Sequence, residues 1–257
     1  MPGPRTPKGR ARETAARLAE LYPGDAKALC ALNHGNPFQL LVATILSAQC
    51  TDERVNQVTP AVFARYPSPA DMATADRDEL EELIKPTGFF RNKTTSLIGM
   101  ASGLEERFGG VVPQRLEDLT TLPGVGSKTG NVIRSVAFGL PGLPVDTHVG
   151  RLSRRLGLTT QTDPDKVEAE LCSYLPPSEW GPMSLRLILH GRAVCLARTP
   201  RCAVCVLNDF CPSSTTRGAA AKGARAALVA TSAVAGPAQA GVPAAKGRKR
   251  AAKSVTP

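Results

Sequence analysis

"RLEDLTTLPGVGSKTGNVIRSVAFG", residues 115 to 139, is the stretch on which the fold turns. It reads as a helix, then a tight turn at Pro123 to Gly126, then a second helix starting near Ser127. Two glycines flank Val125, so the backbone can come close to a ligand, and the free amides of Gly124, Gly126 and the following turn point outward at a helix N-terminus. On these residues alone the turn is either an anion cradle without charged side chains or an ordinary connection between antiparallel helices. Working outward, the pattern stays helical. "NPFQLLVATILSA" opens with an Asn36 cap and Pro37 in its first turn, and "RDELEELIKPTG" carries an amphipathic stripe ended by Pro86 and Gly88. "RETAARLAELYP", "NKTTSLIGMASGLEERFGG", "DPDKVEAELCSYL" and "GPMSLRLILHGRAVC" continue the series. Alternating strand patterns are nearly absent, and no internal repeat is visible. The fold class is all-α.

Lys128 stands in the first turn of the second helix, where the positive end of the helix dipole prefers a carboxylate. A lysine placed against its helix either meets a phosphate or supplies an amine nucleophile. "VDTH", residues 145 to 148, begins eighteen positions or so downstream with Asp146 ahead of Thr147, and Asp146 is placed to cap the helix containing "VGRLSRRL". The same Asp beside a lysine could also serve glycosidic chemistry, with the amine attacking C1′ of a sugar and the carboxylate stabilising the cationic sugar or handling protons.

"CLARTPRCAVCVLNDFC", residues 195 to 211, concentrates four of the seven cysteines at a C-x6-C-x2-C-x5-C spacing. Cys30, Cys50 and Cys172 stand alone, the count is odd, and no apolar signal segment follows Met1, so a disulfide framework is not supported. A metal site is the better reading. One C-x2-C knuckle, without a second knuckle or a histidine pair, leaves zinc open and favours an iron–sulfur cluster.

The net charge of +10 suggests a polyanionic partner, but it is carried outside the middle of the chain. Twelve cations and no carboxylate lie outside residues 13 to 214, which leaves that segment at −2. Local patches or backbone amides must therefore do the gripping if the core binds nucleic acid. The stretch after 214 is rich in Ala, Gly and Pro with "KGRKR" near its end, and reads as a disordered basic tail that is either solvated or a non-specific DNA tether. No run reaches the roughly 18 apolar residues of a membrane span, so a cytoplasmic, nucleoid-associated protein is expected.

"LPGVGSKTGNV", "VDTH", "LILHGRAVC" and the cysteine spacing, in this order, resemble the endonuclease III family, DNA glycosylase/AP lyases of the helix-hairpin-helix class. "LLVATILSAQCTDERVN" and "IKPTGFFRNK" match as well, so the resemblance covers about residues 12 to 213. It implies two helical domains with a DNA cleft between them: a helical barrel at 30–140, and a cluster domain joining 12–29 to 141–213, flanked by basic disordered tails at 1–11 and 214–257. It implies Lys128 as the Schiff-base nucleophile, Asp146 as the essential carboxylate, and Cys195, Cys202, Cys205 and Cys211 as ligands of a structural [4Fe-4S] cluster. The cluster would brace a loop whose Arg198 and Arg201 meet DNA phosphates. Gln49 and Phe89 match residues that fill the gap left by a flipped base, His148 one beside the carboxylate, and Ser47 one lining the pocket. Damaged double-stranded DNA is the implied partner, a monomer the implied state, and oxidised or ring-saturated pyrimidines the implied lesions. Phe89 stands where Leu is frequent, Thr199 where a basic residue is, and Ser127 and Gly130 where Arg and Ala are. The alternatives are a mismatch adenine glycosylase, disfavoured by the lysine at 128; a non-catalytic hairpin scaffold, in which Lys128 and Asp146 would be dispensable; and an iron–sulfur electron carrier, for which DNA would be irrelevant.

Overall fold

The computed structural model describes residues 4 to 216, and among these every regular element is helical. Helix α1 (Pro7–Leu21) begins where Thr6 Oγ1 accepts a hydrogen bond from the Gly9 amide at 3.1 Å and Pro7 takes the first helical position, whose N–H would be orphaned anyway. The expected disordered tail through residue 11 is therefore too long: residues 7 to 11 are helical and Ala11 is fully buried. After α2 (Ala26–Leu29), α3 (Pro37–Leu46) starts at the Asn36 cap, whose side chain accepts from Gln39 N at 2.9 Å. Phe38, Leu40, Leu41, Val42, Ala43, Ile45 and Leu46 are all buried, so α3 is apolar nearly all round and must be central. Around it lie α4 (Asp52–Arg65), α5 (Pro69–Ala73), α6 (Arg77–Ile84) and α7 (Phe90–Phe108).

The hairpin follows as α8 (Leu116–Leu119) and α9 (Ser127–Val132), the latter continuing into a π-helical turn at 133–137. Its turn sits on a face of small residues that recur at helical spacing along α7. A Cβ at Gly99 would lie 3.2 Å from Pro123, one at Gly103 3.0 Å from Leu122, and one at Gly124 2.7 Å from Ser96 Cβ. Gly130 lets α8 and α9 approach, since a Cβ there would come 2.5 Å from Leu116 Cδ1; this close contact offsets a helix-propensity cost of about 1 kcal/mol. Gly124 also has φ +77°, in the left-handed region. Gly124→Ala is accordingly expected to destabilise the fold by about 1–2 kcal/mol from the backbone conformation alone, read as a lower urea midpoint; an unchanged midpoint would mean the turn rearranges freely.

The chain then returns through an extended stretch to α10 (Thr147–Arg155), α11 (Pro164–Tyr174) and α12 (Trp180–Ala193), followed by the cysteine loop. Two apolar cores result. One draws on residues from Ala26 to Val136; the other joins Ala11, Ala15, Leu18 and Tyr22 of the N-terminal segment to residues from Leu143 to Phe210. Ala26, read from sequence as part of the cluster domain, packs in the first core instead, because α2 has already crossed to it. Residues 214 to 216, read as the start of a tail, turn back so that Asn208 Nδ2 donates to the Thr216 carbonyl at 3.3 Å. The rest of that expected tail, 217–257, and residues 1–3 of the N-terminal one lie outside the described residues.

Candidate active site and cluster loop

A cleft of about 440 Å³ has walls from both cores, and Lys128, Asp146, Ser47, Gln49 and His148 all line it. Lys128 reaches it from the exposed first turn of α9, where Gly126 is the N-cap and supplies no side-chain partner to the helix amides. A Cβ at Gly126 would meet nothing within 4 Å, so the backbone there is open to a ligand. Asp146 caps α10: its Oδ1 accepts from Val149 N at 2.8 Å. The capping expected from sequence is thus present, and it commits one carboxylate oxygen while orienting the other. Ser47 is the C-cap of α3, its Oγ donating to the Thr44 carbonyl at 2.8 Å.

Three polar residues that sequence reading did not single out complete this region. Arg192 at the end of α12 pairs with Asp52 at the start of α4 at 2.6 Å, and both line the cleft, so the pair ties the two cores together there. Arg151 Nη2 lies 3.2 Å from His148 Nδ1 and donates to the carbonyls of Gly191 at 3.1 Å and Cys195 at 3.0 Å. Burial holds the His148 pKa below the ordinary value, against the opposing pull of the Asp146 charge. Asp52 stands three residues after Gln49 and Arg192 two after His190, but a pair 140 residues apart has no local sequence signal.

The other site residues lie outside the cleft walls. Phe89 is 62% exposed, one of two large hydrophobic residues so exposed among the described ones. It has φ +49°, and Gln49 has φ +54°; no other non-glycine residue described has positive φ. Such backbone is uncommon for these side chains and directs them away from the paths of the adjoining helices. Gly124 belongs to the hairpin turn, and Arg198 and Arg201 are exposed in the cysteine loop, where neither makes an ion pair among the described residues.

Cys195, Cys202, Cys205 and Cys211 line a single apolar cavity with Leu152, His190 and Leu207. Among the described residues no three His, Cys, Asp or Glu converge as they would on one ion. Four thiols around one cavity are a donor set that an iron–sulfur cluster takes. The surroundings suit such a group. Arg155 Nη1 lies 3.4 Å from Cys195 Sγ while its guanidinium donates to the carbonyls of Leu196 at 2.7 Å and Ala197 at 2.6 Å, which shapes the loop around the thiols. His190 Nε2 lies 3.3 Å from Cys205 Sγ, and its Nδ1 is 3.5 Å from the Tyr22 hydroxyl. Burial pushes the His190 pKa down to about 4, so the ring is neutral, and a thiolate acceptor would place its proton on Nε2. Burial, and then the neighbouring thiols, push Cys205 up to about 12, a charge penalty that bound iron would relieve.

Comparison with known proteins agrees with this geometry. Residues 42–177 match the family model of the HhH-GPD superfamily base excision DNA repair proteins, and residues 195–211 match the iron-sulfur binding domain of endonuclease III. The chain is 55% identical over 208 residues to endonuclease III of Synechocystis sp., covering 80% of this chain and 94% of that protein. Among solved structures, a non-covalent endonuclease III–DNA complex superposes with a TM-score of 0.75 at 40% identity, over 80% of this chain and 95% of that one. A trapped covalent endonuclease III–DNA intermediate does so with a TM-score of 0.75 at 41% identity, over 80% and 96%.

Proposed function

The chain belongs to the endonuclease III family of base-excision DNA repair proteins, and from that premise we propose how its residues divide the chemistry. The enzyme is a DNA glycosylase with AP lyase activity, it binds DNA, and it carries a [4Fe-4S] cluster. No helix among the described residues is long and apolar enough to cross a membrane.

Lys128 is the nucleophile. Its Nζ attacks C1′ of the damaged nucleotide, the glycosidic bond breaks with its electron pair leaving on the base, and the base takes up a proton. The attached amine gives up one proton, and the sugar ring opens as the C1′–O4′ bond breaks with its electron pair leaving on O4′, which takes up a proton; the nitrogen lone pair completes C1′=N, the protonated Schiff base. Removal of a C2′ proton then expels the 3′ phosphate by β-elimination, cutting the strand 3′ to the abasic site. Asp146 stabilises the positive charge that develops on the sugar and assists proton transfer, held in place by its own capping bond. His148 supports the carboxylate, and Ser47 lines the base pocket. Gly124 and Gly126 offer backbone amides to phosphate, Arg198 and Arg201 add charge-assisted contacts, and Gln49 and Phe89 occupy the space of the flipped nucleotide. Cys195, Cys202, Cys205 and Cys211 are the cluster ligands; the bound cluster fixes the fold of its loop. The substrates are oxidised or ring-saturated pyrimidines in duplex DNA. The enzyme acts as a monomer on the nucleoid, in the cytoplasm, with the basic residues outside 13–214 as a non-specific tether.

The observation that carries this reading is the presence of Lys128 and Asp146 on the wall of one cleft. Incubation of the protein with a thymine-glycol duplex and borohydride is expected to give a covalent protein–DNA band. Base release without any trapped band would instead indicate a glycosylase that uses water as its nucleophile.

A further inference from the structure

Lys93 is 5% exposed and makes no ion pair with a carboxylate among the described residues. Its Nζ donates to two backbone carbonyls, Leu46 at 2.8 Å and Thr87 at 2.8 Å. Burying an ammonium on neutral acceptors is costly, and burial does depress its pKa. A methionine would fill the same space without that cost, so the charge calls for a reason.

The two carbonyls supply one. Leu46 is the last residue of α3, and its carbonyl is among those a helix end leaves unpaired: Cys50 N, the amide it would otherwise receive, bonds to Ser47 instead at 3.1 Å. Thr87 ends the short 3-10 turn before α7. Gln49 follows three residues after the first carbonyl and Phe89 two after the second, and these are the two non-glycine residues with positive φ among those described. The backbone amide of Lys93 also bonds to the Phe89 carbonyl at 3.1 Å. One residue thus holds both loops, from two separate stretches of chain, at their points of departure from regular helix.

We propose that Lys93 is a positioning residue that sets the spacing and register of Gln49 and Phe89, so that both enter the duplex together. The proposal rests on the reading of those side chains as the ones that fill the space of a flipped nucleotide. A single ammonium suits this task because its three donors rotate freely and can serve carbonyls arriving from different directions, which a planar guanidinium cannot do as readily.

The test compares two rates in each preparation: single-turnover cleavage of a thymine-glycol duplex, and lysis of a single-stranded oligonucleotide containing an abasic site, where no gap has to be filled. Both scale with the folded fraction, so their ratio is independent of yield. Lys93→Met is expected to lower the duplex-to-single-strand ratio by about 100-fold, the scale at which small misplacements act. Gln49→Ala and Phe89→Ala are expected to lower it too, and Lys93→Met combined with Phe89→Ala to lower it little beyond Lys93→Met alone, as for residues acting through one another. A wild-type ratio for Lys93→Met, with both loop variants impaired, would overturn the clamp and leave the gap-filling reading intact. Wild-type ratios for Gln49→Ala and Phe89→Ala would overturn that reading, and the clamp with it.

Discussion

Lys128→Ala is expected to abolish borohydride trapping and to slow strand cleavage by on the order of 10⁴- to 10⁶-fold, the range seen when an enzyme loses its nucleophile. Among the described residues Lys128 is the one lysine on the cleft wall. The other cation there, Arg192, is a guanidinium engaged with Asp52 at 2.6 Å, and a guanidinium has no lone pair to offer. No other group that lines the cleft among the described residues can form an imine. The substitution should also leave the fold intact, because Gly126 caps α9 and the Lys128 side chain is exposed. Removing a cation from a helix N-terminus favours the helix by a few tenths of a kcal/mol, about 0.3–1 at most. DNA binding, measured on an uncleavable abasic analogue, should stay within a few fold of wild type, since the hairpin amides are unchanged. Trapping that persists in Lys128→Ala would assign the covalent step to another amine.

What was legible in the sequence divides along physical lines. Local chemistry could be read directly: the Asn36–Pro37 start of α3, the Gly/Pro turn of the hairpin, and the Asp146 cap all depend on residues within a few positions of one another. The N-terminal boundary was missed even though its signal, Thr6 followed by Pro7, is equally local; basic residues outweighed the cap. Long-range pairs left no trace. Neither the Arg192–Asp52 bridge nor the hold of Lys93 on Leu46 has a periodic or spacing signature, because each is set by how α3, α4, α7 and α12 pack. The strained backbone of Gln49 and Phe89 is likewise a tertiary effect: neither residue type favours positive φ, and only the surrounding contacts impose it. The small face of α7, with Ser96, Gly99 and Gly103, was present in the sequence but meaningful only once the hairpin turn was seen to rest on it.

Cys205→Ala should cost the protein its second core. From residues 195 to 211, the stretch that holds all four thiols, only Leu207 and Phe210 are fully buried hydrophobic residues; Val206 and three of the thiols pack partly against the core, and the remaining attachments named here are polar. Arg17 donates to Asp209 at 2.6 Å and to the Val206 carbonyl at 2.8 Å, but an ion pair this exposed contributes about 0–1 kcal/mol. Two apolar side chains contribute roughly 3–6 kcal/mol when fully buried, against about 1–2 kcal/mol of backbone entropy for each loop residue that must be ordered. The balance is unfavourable without iron. Structural metal sites supply on the order of 10 kcal/mol, comparable with the whole stability of a typical domain, about 5–15 kcal/mol. Cys205 is the thiol whose loss should matter most, since His190 and, through it, Tyr22 are aligned on its sulfur. The variant is therefore expected to lose the brown colour and the four irons of the wild type and to give little soluble protein. In what remains, trypsin should cut at Arg198 and Arg201 far faster than in the wild type. The barrel core around α3 draws no residue from the loop, so helix signal should fall only in part. A colourless wild type holding one zinc, or a Cys205→Ala protein that unfolds with wild-type cooperativity and midpoint, would contradict a cluster that holds this core together.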